Sequence, residues 1–309
     1  MHAVEGKILP CTMETILSRK RVNSDVVKLP VRADAVFPAP FYCQGLKATL
    51  PSQTITREMT TTESPCKHAR NHRGPDGSLI RNGILNSVPE EEFVGIRPHL
   101  EAMNLAQGTT VLHQESDVTQ AIFLNSGLVS LVVMMSEGRS TEATVTGCEG
   151  MVGIGLLGGV TRSVHSAVVQ VSGDAFRIPA DQLREVIEQA PVFREVLTRF
   201  CVIELMLISQ AAACNRLHPL EKRLARWLLM CQDRLSSDTI RTTHDLLATL
   251  LGTDRPSITL AAQKMQSEGL IRTTRGHLTV VNRSQLEQFS CECYAAGAQF
   301  NSHLGLSES

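Results

Sequence analysis

The longest patterned segment runs from Val192 to Leu217, 26 residues without an internal proline or glycine. Phe193, Phe200, Leu207 and Cys214 recur every seven residues, Leu197 and Ala211 take the interleaved positions, and eight of the nine residues from Phe200 to Ile208 are apolar. This spacing predicts a helix roughly 39 Å long. A helix apolar on several faces needs more than one neighbour. The simplest arrangement sets one face on a β unit and another on the same helix of a second copy, as a two-fold homodimer. The competing arrangement is a central helix in one larger core.

Upstream, short β-rich runs occupy Thr109–His113, Ala121–Leu124, Leu128–Met135, Thr141–Thr146, Val164–Val171 and Ala175–Ile178. Turn residues divide them at Asn125-Ser126-Gly127, Ser136-Glu137-Gly138 and Ser172-Gly173-Asp174. Strands at this spacing predict a β-barrel or roll. A helical opening, PEEEFVGIRPHL, precedes them, GCEGMVGIGLLGGVTR interrupts them, and Ala180–Gln189 closes the unit as a short helix.

Downstream, His218-Pro219 starts a helix through Trp227 to Asp233. Thr242-Thr243-His244-Asp245 then caps LLATLLG, and Gly252 ends it. Thr253 is expected to cap the next helix, with Asp254-Arg255-Pro256 in its first turn and Ile258, Ala261, Ala262 and Met265 on its buried side. IRTTRGHLTVV follows as a two-stranded wing around Arg275-Gly276. Helix, glycine-containing turn, helix and wing in this order predict a winged helix-turn-helix, so the fold class is α+β.

Of 309 residues, 42% are hydrophobic and 20% charged, with a formal net charge of -1. That balance excludes a uniformly basic nucleic-acid coat and directs attention to local patches. Residues 253–283 carry a balance of +3. The predicted recognition helix begins there, with Thr253, Arg255, Ser257 and Thr259; Lys264, Arg272, Arg275 and Arg283 lie on its later turns or the wing. Arg255 is the first candidate for base reading, because a guanidinium can bond guanine O6 and N7 together. A phosphate contact is the alternative. Ser257, Thr259 and Thr243 suit backbone anchoring or capping.

Residues 1–84 hold seven of the thirteen prolines, a balance of +5 and no sustained periodicity, so they are read as a disordered extension. Met59 is a candidate start within it. The expected units are 85–190 (β-roll), 191–217 (dimer helix), 218–293 (winged helix) and 294–309 (flexible tail). The amino terminus has no signal-peptide pattern. The uncharged stretch Val118–Ser136 is broken by an Asn-Ser-Gly turn, which fits two strands better than a membrane span. Nine scattered cysteines form neither a disulfide framework nor paired CxxC knuckles, and a reducing cytoplasm fits them. No nucleophile elbow, HExxH helix, P-loop or GxGxxG fingerprint is present, so no enzyme class is supported.

Residues 87–293 resemble the Crp/Fnr family of bacterial transcription regulators. The resemblance is carried by the Gly127 and Gly150 glycines, the cassette VGIGLLGGVTRS, the helix join RLHPLEKRLARWLL and, above all, LLGTDRPSITLAAQKMQSEGLIRTTRGHLTV. It implies a cyclic-nucleotide-binding-like β-roll, a dimer helix and a winged helix, in a homodimer that binds palindromic double-stranded DNA and contacts RNA polymerase. The competing class is a ligand-binding or protein-interaction module whose winged helix no longer reads DNA.

Against the family's cyclic-AMP pattern, the ribose-binding acid after Gly153 is replaced by Ile154. Arg162 and Ser163 match the phosphate-gripping pair. The threonine-serine pair that meets the adenine reads Ile208-Ser209. Two lost polar partners at about 1–3 kcal/mol each imply no cyclic-AMP response. Arg162 then serves another ligand or braces the roll. The family's iron-sulfur mode needs clustered amino-terminal cysteines, and only Cys66 is near. Cys66-Lys67-His68 with His72 resembles a partial metal site, but three ligands at this spacing in a stretch read as disordered are usually accidental, and Cys291-Glu292-Cys293 has one intervening residue where zinc knuckles use at least two. Cys201 and Cys214 are read as small buried residues, and His99, His113 and His165 as packing histidines before haem ligands. No cofactor or metal is expected.

Overall fold

The structure is a computed structural model and describes residues 70–302. The predicted extension as far as residue 69, with Met59, Cys66 and His68, lies outside the described residues. Packed structure begins earlier than residue 85: His72 stacks on Phe93 at 3.9 Å, and its Nε2 donates to the Val88 carbonyl at 2.9 Å. It is a packing residue. Helix α1 (Gly83–Ser87) follows, capped by Asn82, then α2 (Glu90–Ile96) and a 3-10 turn.

Asn82 explains why this opening is ordered. It is fully buried, its Oδ1 accepts from Leu85 N, and its Nδ2 donates to the carbonyls of Leu124, Cys148 and Gly150 at 2.8, 3.2 and 2.8 Å. Ile80, Ile84 and Leu85, each no more than 1% exposed, add apolar burial worth about 1.5–3 kcal/mol per side chain. The prolines nearby hid this from composition.

Eight strands form the roll: β1 (Glu101–Leu105), β2 (Thr110–Leu112), β3 (Gln120–Leu124), β4 (Leu128–Met134), β5 (Ser140–Thr146), β6 (Met151–Val152), β7 (Ser166–Val171) and β8 (Gly173–Pro179). They pair antiparallel in two sheets of order β1-β8-β3-β6 and β2-β7-β4-β5. The six predicted strands are there, and β1 and β6 join them. Gly127 turns β3 into β4 at φ +83°, where an added Cβ would stand 2.6 Å from the Val171 carbonyl oxygen. Gly150 is different: its Cβ would meet the Phe200 ring at 2.7 Å, so its smallness lets the roll approach the long helix.

Helix α3 (Ala180–Gln189) matches its predicted limits, and α4 (Pro191–Leu217) is the long helix, with proline in its first turn. Phe193, Leu197 and Phe200 lie buried in the protomer's own core with α1, α2 and the roll. After α4 come α5 (Leu220–Leu235), β9 (Thr239–Arg241), α6 (His244–Leu250), α7 (Arg255–Ser267), β10 (Ile271–Thr274), β11 (His277–Val280), α8 (Arg283–Phe289) and α9 (Cys293–Ser302). The wing is three-stranded, β10-β11-β9. The expected flexible tail is helical through residue 302, and α9 packs back on α4.

The two halves share a polar seam. Trp227 Nε1 on α5 donates to Glu142 Oε1 on β5 at 2.9 Å, and Arg234 Nε donates to Glu149 Oε1 at 2.6 Å with both side chains under 10% exposed.

Candidate nucleic-acid interface and effector pocket

Helices α6 and α7 form the helix-turn-helix. Thr243 caps α6, its Oγ1 accepting from Leu246 N at 3.1 Å. The cap of α7 is Asp254, whose Oδ1 accepts from Ser257 N at 2.7 Å. Thr253, expected to be the cap, instead sends its backbone N–H to the Ala248 carbonyl inside the turn. A carboxylate one residue later is the stronger acceptor at the positive end of a helix, and these hydrogen bonds hold Asp254 below the usual carboxylate range.

Ile258, Ala261, Ala262 and Met265 bury one side of α7, as predicted. The other side exposes Arg255, Pro256, Leu260 and Gln263. The Arg255 guanidinium stands 3.5 Å from Asp245 Oδ2, and both side chains are about two-thirds exposed, a pair weak enough to open for DNA. Ser257 and Thr259 are half-buried. Thr259 Oγ1 donates to the Arg255 carbonyl and meets His244 Nδ1, each at 3.0 Å, and so ties α7 to α6.

Arg272 and Arg275 project from the wing, exposed. Lys264 is engaged within the protein. Its Nζ donates to Glu221 Oε1 on α5 at 2.9 Å and lies 5.8 Å from the Phe289 ring centre, while its side chain stays 51% exposed. Arg283 is likewise spent, on Asp233 at 2.6 Å, Glu287 at 2.8 Å, Gln232 at 2.9 Å and Tyr294 at 2.6 Å. Leu260 and Gln263 were not among the sequence candidates. The signal for them was present as the helical complement of the four buried residues.

In the roll, β6 leads through Gly153 into a 3-10 turn at Ile154–Gly158. Ile154, Leu156 and Leu157 are half-buried against the core that includes α4. Arg162 is exposed, with its Nε donating to the Glu115 carbonyl at 2.8 Å. Ser163 is buried, its Oγ donating to the His165 carbonyl at 2.7 Å. Ser209 is exposed on α4, donating to the Leu205 carbonyl at 2.8 Å. Both hydroxyls and the arginine therefore have internal partners. Burial holds His165 below its ordinary pKa, and His99 Nδ1 meets Gln182 Oε1 at 3.1 Å.

The six seam residues predicted for a dimer are mostly enclosed within one protomer. Phe193, Leu197, Phe200, Ala211 and Cys214 are buried, and Leu207 is half-buried with α9 nearby. A heptad reports an apolar face without saying which neighbour covers it; here the roll, α1, α2 and α9 do. The exposed stripe is Val202, Leu205 and Met206, at 51, 65 and 45% exposure, continued by Ser209, Ala212 and Ala213.

A cyclic nucleotide-binding domain model matches residues 102–190, and a Crp-like helix-turn-helix domain model matches residues 222–289. Among solved structures, a putative transcriptional regulator of the crp/fnr family from Eubacterium rectale is 20% identical, with TM-score 0.54 over 67% of this chain and 96% of that one. FixK2 from Bradyrhizobium japonicum is 13% identical, with TM-score 0.55 over 62% and 98%. The c-di-GMP responsive global regulator CLP of Xanthomonas campestris is 17% identical, with TM-score 0.53 over 62% and 97%. No curated protein sequence matches the chain. Fold and domain order thus define a nucleotide-binding-type β-roll coupled to a DNA-binding winged helix. The chain belongs to the Crp/Fnr type of transcription regulators.

Proposed function

We propose that this protein works in the cytoplasm as a homodimer that binds a palindromic DNA operator, through α7 in the major groove and the wing on flanking phosphates. The observation carrying this is the free face of α7, where Arg255, Leu260 and Gln263 stand exposed, as do Arg272 and Arg275 on the wing. Arginine suits guanine, glutamine suits adenine, and an apolar side chain suits the thymine methyl. The dimer contact is the α4 stripe of Val202, Leu205 and Met206. Helix α4 is long and apolar enough to cross a membrane, but eight of its residues are buried in the protein, and a helix–helix contact accounts for the rest without one. RNA polymerase is the expected further partner at a promoter.

The roll is proposed not to respond to cyclic AMP. Ile154 sits against apolar residues where a ribose acceptor is required, and Arg162 already serves the Glu115 carbonyl. Any effector acts by its differential affinity for the DNA-competent arrangement.

Selection of duplexes from a random library by the purified protein at near-physiological salt, with and without cyclic AMP, tests both statements. An enriched palindrome, unchanged by the nucleotide, is expected. Salt-sensitive binding without sequence preference would refute specific operator recognition, and micromolar calorimetric affinity for cyclic AMP would refute the effector statement.

A further inference from the structure

Four metal-ligating side chains, 79 residues apart at their furthest in sequence, meet where the DNA-binding half joins the long helix. Cys214 and His218 lie one turn apart at the carboxyl end of α4; Cys291 and Cys293 flank the break between α8 and α9. Their ligand atoms all lie within 4.8 Å of one another. We propose that Cys214, His218, Cys291 and Cys293 bind one Zn2+ ion, a closed structural site that staples the α4–α5 hinge to α9.

The distances match a single ion. Zinc bonds of about 2.3 Å to sulfur and about 2.0–2.1 Å to nitrogen set the ligand atoms of a tetrahedron about 3.5–3.8 Å apart. Cys214 Sγ and Cys291 Sγ are 3.6 Å apart, and Cys293 Sγ and His218 Nδ1 are 3.5 Å apart. The sulfur pair is far beyond the roughly 2.05 Å of a disulfide. A cluster of several irons would spread its ligands wider than 4.8 Å. Three thiolates and one imidazole select zinc among the available divalent ions by softness and geometry.

The surroundings are those of a built site. Cys214, Cys291 and Cys293 are 0, 7 and 3% exposed and form a patch of their own, apart from the three apolar cores. Apolar packing therefore does not account for them. The ring nitrogen of His218 that faces away from the cluster, Nε2, lies 3.3 Å from Glu292 Oε1, the carboxylate that commonly orients a metal-bound histidine. Gln210 Nε2 donates to Cys293 Sγ at 3.0 Å. Among the described residues, the buried guanidinium nitrogens Nε of Arg223 and Arg226 on α5 have no hydrogen-bond partner. Both side chains are close enough to Cys214 to act on it electrostatically, with the sign that offsets an anionic three-thiolate centre. Binding would displace the thiol protons to solvent. The one-residue Cys-x-Cys spacing is short for a zinc knuckle, but Cys291 lies in the turn after α8 and Cys293 opens α9, and both thiols reach the same cluster.

The test is metal content and spectroscopy of the full chain purified under reducing conditions, apart from any DNA assay. About one zinc per chain is expected, with Co2+ reloading giving the intense visible bands and sulfur-to-cobalt charge transfer of a tetrahedral thiolate site. Cys291→Ser should retain less than about a tenth of the metal, and Glu292→Gln should weaken Co2+ binding about 10–100-fold, while Cys201→Ser, outside the cluster on α4, should bind normally. Wild-type protein that takes up neither Zn2+ nor Co2+, or a Cys214–Cys291 disulfide in freshly reduced and desalted protein, would overturn the proposal. So would full metal content in Cys291→Ser. If that variant fails to fold, the wild-type cobalt spectrum and Glu292→Gln still decide.

Discussion

Arg255 and Lys264 show how little a residue type says about its task. Both are cations on α7, yet Arg255 is held by a weak exposed pair and Lys264 by Glu221 and Phe289. Arg255→Ala is expected to relax preference at one base position by about 1–3 kcal/mol, read from competitive binding of single-substitution operators. Lys264→Ala should leave preference intact and change stability by no more than about 1 kcal/mol. Equal, uniform weakening by both would place Arg255 on phosphate. Asn82 makes a different kind of prediction. Asn82→Ala removes three buried donations to carbonyls, of which those of Cys148 and Gly150 keep backbone donors, and a helix cap, so a loss of about 2–4 kcal/mol is expected by chemical denaturation. An unchanged midpoint would show that the opening helix does not brace the roll.

At the scale of elements, α4 is the decisive piece. Its sequence repeat described an inward face, taken up by α1, α2, the roll and α9, and the stripe left outside is shifted around the helix. Leu205→Glu is expected to convert a dimer to monomers in sedimentation at micromolar concentration, while Leu197→Ala, buried within one protomer, should destabilise the fold by about 2–5 kcal/mol without changing assembly. The reverse pattern would restore the heptad seam. The wing and the α6–α7 turn were legible because caps, glycine and hydrophobic spacing act within a dozen residues. Helices α8 and α9 were not: their short segments bury themselves against α4 and α5, far away in sequence.

The seam between the two halves makes stability depend on pH. Glu204 on α4 is buried, and burial pushes its carboxyl from 4.5 up to about 7, with Thr144 and Arg234 lowering it and Glu149 raising it. Glu142, facing Ser130, Trp227, Arg226 and Arg234, is raised by burial to about 7 as well, though its side chain keeps some exposure. A carboxyl raised in the folded state binds more protons there than in the unfolded chain between these values. Its stabilisation is therefore full below about 4.5, is lost as pH rises, and is gone above about 7. Thermal unfolding should show that decline on the order of 1–3 kcal/mol from Glu204, and Glu204→Gln should make it shallower, leaving the part due to Glu142. A variant with the wild-type slope would remove Glu204 as its source.

What the sequence determined by itself was whatever closes locally: six strands and their turns, the limits of α3 and α4, the winged helix and the first turn that carries Arg255. Alternation, caps and left-handed glycines act between near neighbours and need no partner. Tertiary structure alone decided which cations are free, which face of α4 is left uncovered, and that Cys214 and His218 meet Cys291 and Cys293. Those outcomes depend on distances between segments that are far apart along the chain, and pattern along one segment holds no record of what folds against it.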